Sequence, residues 1–99
     1  MTEEDVKAAL KDVYDPELGY NIVDLGLVYG VIVAPDGRVN VTMTMTTPGC
    51  PAASYIEAGT RERVEAMDGV TSADVHVVWN PPWTPERMSD DAKRHFGFD

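Results

Sequence analysis

The chain has 99 residues, with 17 acidic against 8 basic side chains and a formal charge of −9; that is enough for one domain with a modest core and too little for a large internal cavity. Such acidity argues against a nucleic acid or an anionic membrane as partner, because both need a cationic face. A single cysteine excludes an intrachain disulfide and fits a reducing cytosol, and the acidic start Met1-Thr2-Glu3-Glu4-Asp5 lacks the apolar core of a signal peptide, so the expected location is cytoplasmic.

Residues 2–13 read as a helix. Thr2 supplies a cap, Glu3, Glu4 and Asp5 suit the positive end, and Val6, Ala9, Leu10 and Val13 form one apolar stripe. The helix must stop before Asp15-Pro16, since a residue preceding proline is pushed out of the helical region. Residues 15–26 follow as an irregular segment, rich in turn formers yet carrying Ile22, Val23 and Leu25 to pin it to the core. Its polar residues Asp15, Glu17, Asn21 and Asp24 have two readings. Turn chemistry is one, with Asp and Asn bonding nearby backbone groups. The polar wall of a site for a hard metal or cluster is the other.

Residues 27–34 read as a first strand, and Pro35-Asp36-Gly37 as a tight turn. Residues 38–46 return antiparallel with unbroken alternation: Val39, Val41, Met43 and Met45 face the core, while Asn40, Thr42, Thr44 and Thr46 face solvent or a second subunit. The glycosylation-like triplet Asn40-Val41-Thr42 is a chance match on this strand. Residues 51–67 form the long helix, with Ala53, Ile56, Thr60, Val64 and Met67 at helical spacing and Gly69 as a left-handed C-cap. Residues 70–79 are a third strand, parallel to the second if the two are neighbours. Two prolines then forbid further pairing, and Trp79 and Trp83 bracket a stiff corner that packs on the sheet. A short closing helix spans residues 90–96, entered at Thr84-Pro85 or Ser89 and ended by Gly97. The order helix–strand–strand–helix–strand–helix predicts a small α+β domain over residues 1–99, a mixed sheet with helices on one face.

The sharpest chemical candidate is Thr46-Thr47-Pro48-Gly49-Cys50-Pro51. Pro48 and Gly49 turn the backbone between strand and helix, and Pro51 suits a helix start. Cys50 is thereby expected at or beside an N-terminus, where unpaired N–H groups and the helix dipole favour a thiolate. The plainer alternative is a small buried hydrophobe. His76 and His95 have no metal-binding spacing to Cys50 and read as surface or packed side chains. No dinucleotide fingerprint, phosphate loop, HExxH, CxxC pair or Ser-His-Asp order is present.

Asp15-Pro16-Glu17-Leu18, then Asn21 through Tyr29 (NIVDLGLVY), then Thr46 through Pro51 (TTPGCP), together with the Trp79, Trp83 and Ser89 region, resemble the SufT/PaaD-like metal–sulfur cluster assembly family over nearly the whole chain. The resemblance implies the compact α+β fold of iron–sulfur cluster assembly domains, in a single-domain bacterial or archaeal member. It implies an accessory factor in iron–sulfur cluster assembly or transfer, with Cys50 as the functional thiol and transient metal or cluster ligand. Asp15, Glu17, Asn21, Asp24, Thr46, Thr47 and Gly49 are the implied supporting residues. Implied partners are the assembly machinery and client apo-proteins, with a homodimer compatible.

A cluster ordinarily takes four thiolate or equivalent ligands. One cysteine per chain therefore points to no stably bound cofactor, but to transient iron or a shared cluster. Such a carrier is not a turnover enzyme. Two other classes stay open at this stage: a cysteine-dependent small enzyme, which needs a base near the sulfur, and an interaction module in maturation of a multicomponent oxygenase.

Overall fold

The computed structural model describes residues 1–46 and 51–98. Chain order is α1 (Glu3–Leu10), β1 (Tyr14–Asp15), β2 (Tyr20–Asn21), β3 (Val28–Val33), β4 (Arg38–Met43), α2 (Ala52–Glu65), β5 (Ser72–Val77), a 3-10 turn (Pro85–Arg87) and α3 (Asp90–Phe96). The α+β architecture and the order of its main elements are those the sequence predicts. The two-residue pair β1–β2, Tyr14 opposite Asn21 and Asp15 opposite Tyr20, is an addition. Two residues are too few to carry a period.

α1 starts on a capping box: the Thr2 hydroxyl accepts from the Asp5 amide at 3.2 Å, and the Asp5 carboxylate accepts from the Thr2 amide at 3.0 Å. It ends at Leu10 rather than Val13, although Val13 stays buried. β3 and β4 pair antiparallel, from Val28 opposite Met43 to Val33 opposite Val39, around the Pro35-Asp36-Gly37 turn. Gly37 is required there. Its φ is +92°, and a Cβ would stand 2.3 Å from the Gly69 carbonyl oxygen. β4 and β5 run parallel, Arg38 beside Ser72 through Met43 beside Val77, with α2 as the crossover.

α1 and α2 pack together on one face of this sheet. Val31, Val39, Val41, Met43, Ala73 and Val75 point into the core to meet Val6, Leu10, Ile56 and Val64. Ile32, Thr42, Asp74 and His76 lie on the other face.

Three expectations need correction. β4 ends at Met43, not Thr46, although one bond on each side carries the pairing a residue further: the Thr44 amide donates to Leu27 O at 2.8 Å and Met43 O accepts from Val78 N at 2.8 Å. Thr44 is fully buried with Met43 and Met45 beside it, so the predicted solvent-facing row breaks at this point. α2 closes on Ala66 as an ordinary right-handed cap, and Gly69 serves the following turn instead. β5 stops at Val77, leaving Trp79 45% exposed beyond the sheet.

The stretch that positions the candidate site is the loop between β2 and β3, clamped against the segment entering α3. Trp83 Nε1 donates to Leu25 O at 2.7 Å, and the Ser89 amide donates to Asp24 O at 2.8 Å. Between them, Gly26 (φ +80°) sits so close to Arg87 that a Cβ would lie 2.3 Å from its carbonyl oxygen. Ser89 then caps α3 by accepting from Ala92 N at 3.2 Å, and Gly97 ends it in the left-handed region, as the sequence predicts.

Gly26 and Gly59 make a contrasting pair for measurement. Gly26→Ala forces both a disfavoured φ and a backbone collision, and should cost more than about 2 kcal/mol of stability. A Cβ on Gly59, inside α2, would meet only Val13 Cγ1 at an ordinary 3.6 Å. Gly59→Ala should therefore raise stability by up to about 1 kcal/mol, the helix propensity difference. Urea unfolding of the two variants checks both signs.

Candidate functional site

The acidic loop is first a set of internal caps. Asp15 is 4% exposed. Its Oδ1 accepts from Glu17 N at 2.8 Å and Leu18 N at 3.3 Å, and its carbonyl accepts from Gly19 N at 2.7 Å. Asn21 and Asp24 bond each other: Asn21 Nδ2 donates to Asp24 Oδ2 at 2.7 Å, and Asp24 N donates to Asn21 Oδ1 at 2.9 Å. Burial alone would raise the Asp24 pKa, yet hydrogen bonds to Asn21 and Ser89 and the Lys11 charge more than offset it, so the carboxyl is held below its ordinary range. Asp24 thus ties the acidic loop to the α3 entry through side chain and backbone alike. The two turns present Glu17, on the exposed rim between them.

Glu17 and Leu18 meet Thr46 across a cavity of about 380 Å³ whose remaining wall includes Trp83, Met88 and Phe98. This groove joins the first acidic motif to the opening residue of the cysteine motif. Of the expected supporting residues, Glu17 and Thr46 line it, whereas Asp15, buried in its own turn, and the Asn21–Asp24 pair are not among its lining residues. Thr47, Gly49 and Cys50 lie outside the described residues, as does the expected place of the thiol beside the helix start. α2 itself begins after Pro51, which has helical φ and ψ and offers no side-chain cap.

Sequence reading did not find the apolar wall. The sequence reading placed Trp83 in a corner packed on the sheet and singled out neither Phe96 nor Phe98; all three line one cavity with Leu18 and Thr46. The available signal was Phe98, a large apolar residue just past the Gly97 terminator and 56% exposed. The histidines behave as expected from their spacing. His76 Nε2 lies 3.3 Å from Asn40 Oδ1 on the outer sheet face. His95 packs at a tilt against Tyr20, with ring centroids 4.9 Å apart and planes 41° from parallel. No group of three or more His, Cys, Asp or Glu suited to a metal occurs among the described residues. No described helix is long and apolar enough to cross a membrane.

A three-stranded mixed sheet with two helices on one face, closed by a loop-clamped third helix beside an acidic and apolar groove, makes this a small α+β domain. Residues 3–77 match the family model described as iron–sulfur cluster assembly protein. The chain is 45% identical over 98 residues to an Fe-S protein maturation auxiliary factor of Porphyromonas gingivalis, covering 99% of this chain and 93% of the relative. It is 45% identical over 95 residues to the Fe-S protein maturation auxiliary factor YitW of Bacillus subtilis, covering 96% and 93% respectively. A crystal structure of a domain of unknown function, DUF59, from Bacillus anthracis superposes with a TM-score of 0.93 at 44% identity, covering 98% of this chain and 92% of that one. The chain belongs to the iron–sulfur cluster assembly protein family, of the SufT-like kind.

Asp24 makes an acid-sensitive anchor. Because its folded pKa is depressed, its contribution to stability is complete above the ordinary carboxylate pKa of about 3.9 and is lost as pH falls through the lower folded value. Asp24→Asn should therefore lower stability at neutral pH and flatten the acid limb of the stability curve. Urea midpoints measured from neutral pH down to pH 3 would show both effects, and an unchanged acid limb would count against the anchor.

Proposed function

We propose that this protein is an accessory factor of iron–sulfur cluster assembly that presents Cys50 as a transient ligand beside the Glu17–Thr46 groove. The observation that carries the reading is the meeting of Glu17 with Thr46 in one cavity, within a chain of the iron–sulfur assembly family. Thr46 precedes Cys50 by four residues, and Pro51 follows it directly. The chain therefore links the thiol within a few residues both to a wall of the groove and to the start of α2.

The cargo is iron or an iron–sulfur cluster on its way to a client. A lone thiolate leaves a cluster short of ligands. The others come from the client's cysteines, a small thiol or the partner chain of a dimer. Delivery is then ligand exchange: one client thiolate displaces Cys50 and others displace the remaining temporary ligands, each departing as a free thiolate, and no electron needs to move. Glu17 adds negative charge to the groove's lining, and that charge attracts a client's basic surface. The apolar wall of Trp83, Met88 and Phe98 takes the hydrophobic flank of the client segment and excludes water around the shared site. The partners are assembly proteins and apo-clients in a reducing, cytoplasmic setting.

Cys50→Ser is the test. The substitution is nearly isosteric, so the variant should fold with an unfolding midpoint close to that of the parent. It should fail to restore client iron–sulfur enzyme activity in cells lacking the factor. Anaerobically purified parent should hold iron at well below one per chain. Full restoration by the serine variant would reject the thiol mechanism and leave a docking module, and stoichiometric air-stable iron would reject transient carriage.

A further inference from the structure

Tyr14 and Tyr55 are 54% and 66% exposed, well beyond what large aromatic side chains require for packing. Both line one cavity of about 520 Å³ between the end of α1 and the outer side of α2. Tyr55, Gly59, Glu62 and Ala66 recur at helical spacing and so form a single stripe on α2. Gly59 has no side chain to fill the slot, and Val13 closes it from the other side.

The charges at the rim are unequal. Asp12 accepts from Arg63 Nε at 3.0 Å, which cancels the slot's one cation. Glu62 makes no ion pair among the described residues and leaves the slot net negative, on a chain whose formal charge is −9. Two phenol rings with negative faces, an unpaired carboxylate and an open apolar floor suit a flat cation on an aliphatic stem. An anion would meet repulsion from Glu62 and the whole acidic field.

We infer that the Tyr14–Tyr55 slot receives an arginine from a partner protein's basic surface, docking it next to the candidate site. The partner's role rests on the assembly-factor reading above, whereas the slot's preference for a guanidinium does not. The guanidinium lies over a tyrosine face and reaches Glu62, and its methylene stem lies along Gly59 and Val13. Position supports this use. Tyr14 immediately precedes Asp15 of the acidic loop, and Tyr55 is in the first turn of α2, five residues after Cys50. Tyrosine and arginine are also the side chains that most often dominate binding at protein interfaces.

The slot can be read by NMR titration of the full chain with acetyl-Gly-Arg-Gly-amide, with the glutamine analogue as neutral control. The arginine peptide should shift the Tyr14 and Tyr55 ring protons and the Gly59 amide, saturably, and the control should not. Tyr55→Ala should weaken binding about fivefold, the size of an exposed cation–π contact, and Glu62→Gln should weaken it further as well as reduce its salt dependence. Cys50→Ser should bind the peptide like the parent, which separates this proposal from the thiol mechanism. In cells, Tyr55→Ala should lower client activation although Cys50 is present. Equal shifts from both peptides, or arginine binding unaltered in the Tyr14→Ala/Tyr55→Ala variant, would overturn the proposal. So would a concentration-dependent dimer that Tyr55→Ala abolishes, since the slot would then belong to a second copy of the chain.

Discussion

Gly26 has no room for a Cβ against the Arg87 carbonyl oxygen, and this close approach sets the geometry of the candidate site. It lets the β2–β3 loop lie flat enough on the α3 entry for Leu25 to take the Trp83 indole hydrogen bond and Asp24 the Ser89 amide. Trp83 is thereby held against the core, and Met88 is buried one residue before the cap of α3. Without that approach the acidic loop and the C-terminal segment would have no reason to share a wall. Backbone packing at one glycine thus converts two sequence-distant segments into a groove.

The groove and the slot divide the proposed work by chemistry. The groove joins an apolar wall to a single rim carboxylate beside the cysteine segment, which suits a client's hydrophobic flank and ligand exchange. The slot carries exposed phenol rings and an unpaired carboxylate, which suit a fixed cation. Both sit on a strongly acidic chain, whose field steers basic surfaces toward it and hastens encounter more than it tightens the complex. A transient carrier gains from that combination, because it must meet its partners quickly and release them.

The elements with strong local signals were legible in the sequence. Ser89 and Gly97 bounded α3, Thr2 capped α1, and alternation around Pro35-Asp36-Gly37 gave the hairpin. The parallel β4–β5 pair was also legible, because a strand–helix–strand crossover returns the chain in the same direction. Long-range backbone bonds were not. Nothing local marks Thr44 for burial, since its alternation continues through Thr46 while the bond that covers its amide comes from Leu27, seventeen residues earlier in the chain. The groove was invisible for a related reason: Leu18, Thr46, Trp83 and Phe98 come from four segments, each ordinary alone. Asp15 and Asn21 were legible as turn formers, and their hydrogen bonds are of that kind. Their further part in a site depends on Glu17, which those turns hold at the rim.

The central claim is that Cys50 works beside the Glu17–Thr46 groove, and the single cysteine permits a direct measurement. A nitroxide attached to Cys50 broadens nearby amide resonances in the NMR spectrum of the full chain. The account predicts strong broadening at Leu18, Thr46 and Met88, with the amides of Asp36, Gly37 and Gly69 at the opposite end of β4 left sharp. Sharp signals at Leu18 and Met88, with broadening instead around the Gly37 turn, would contradict it.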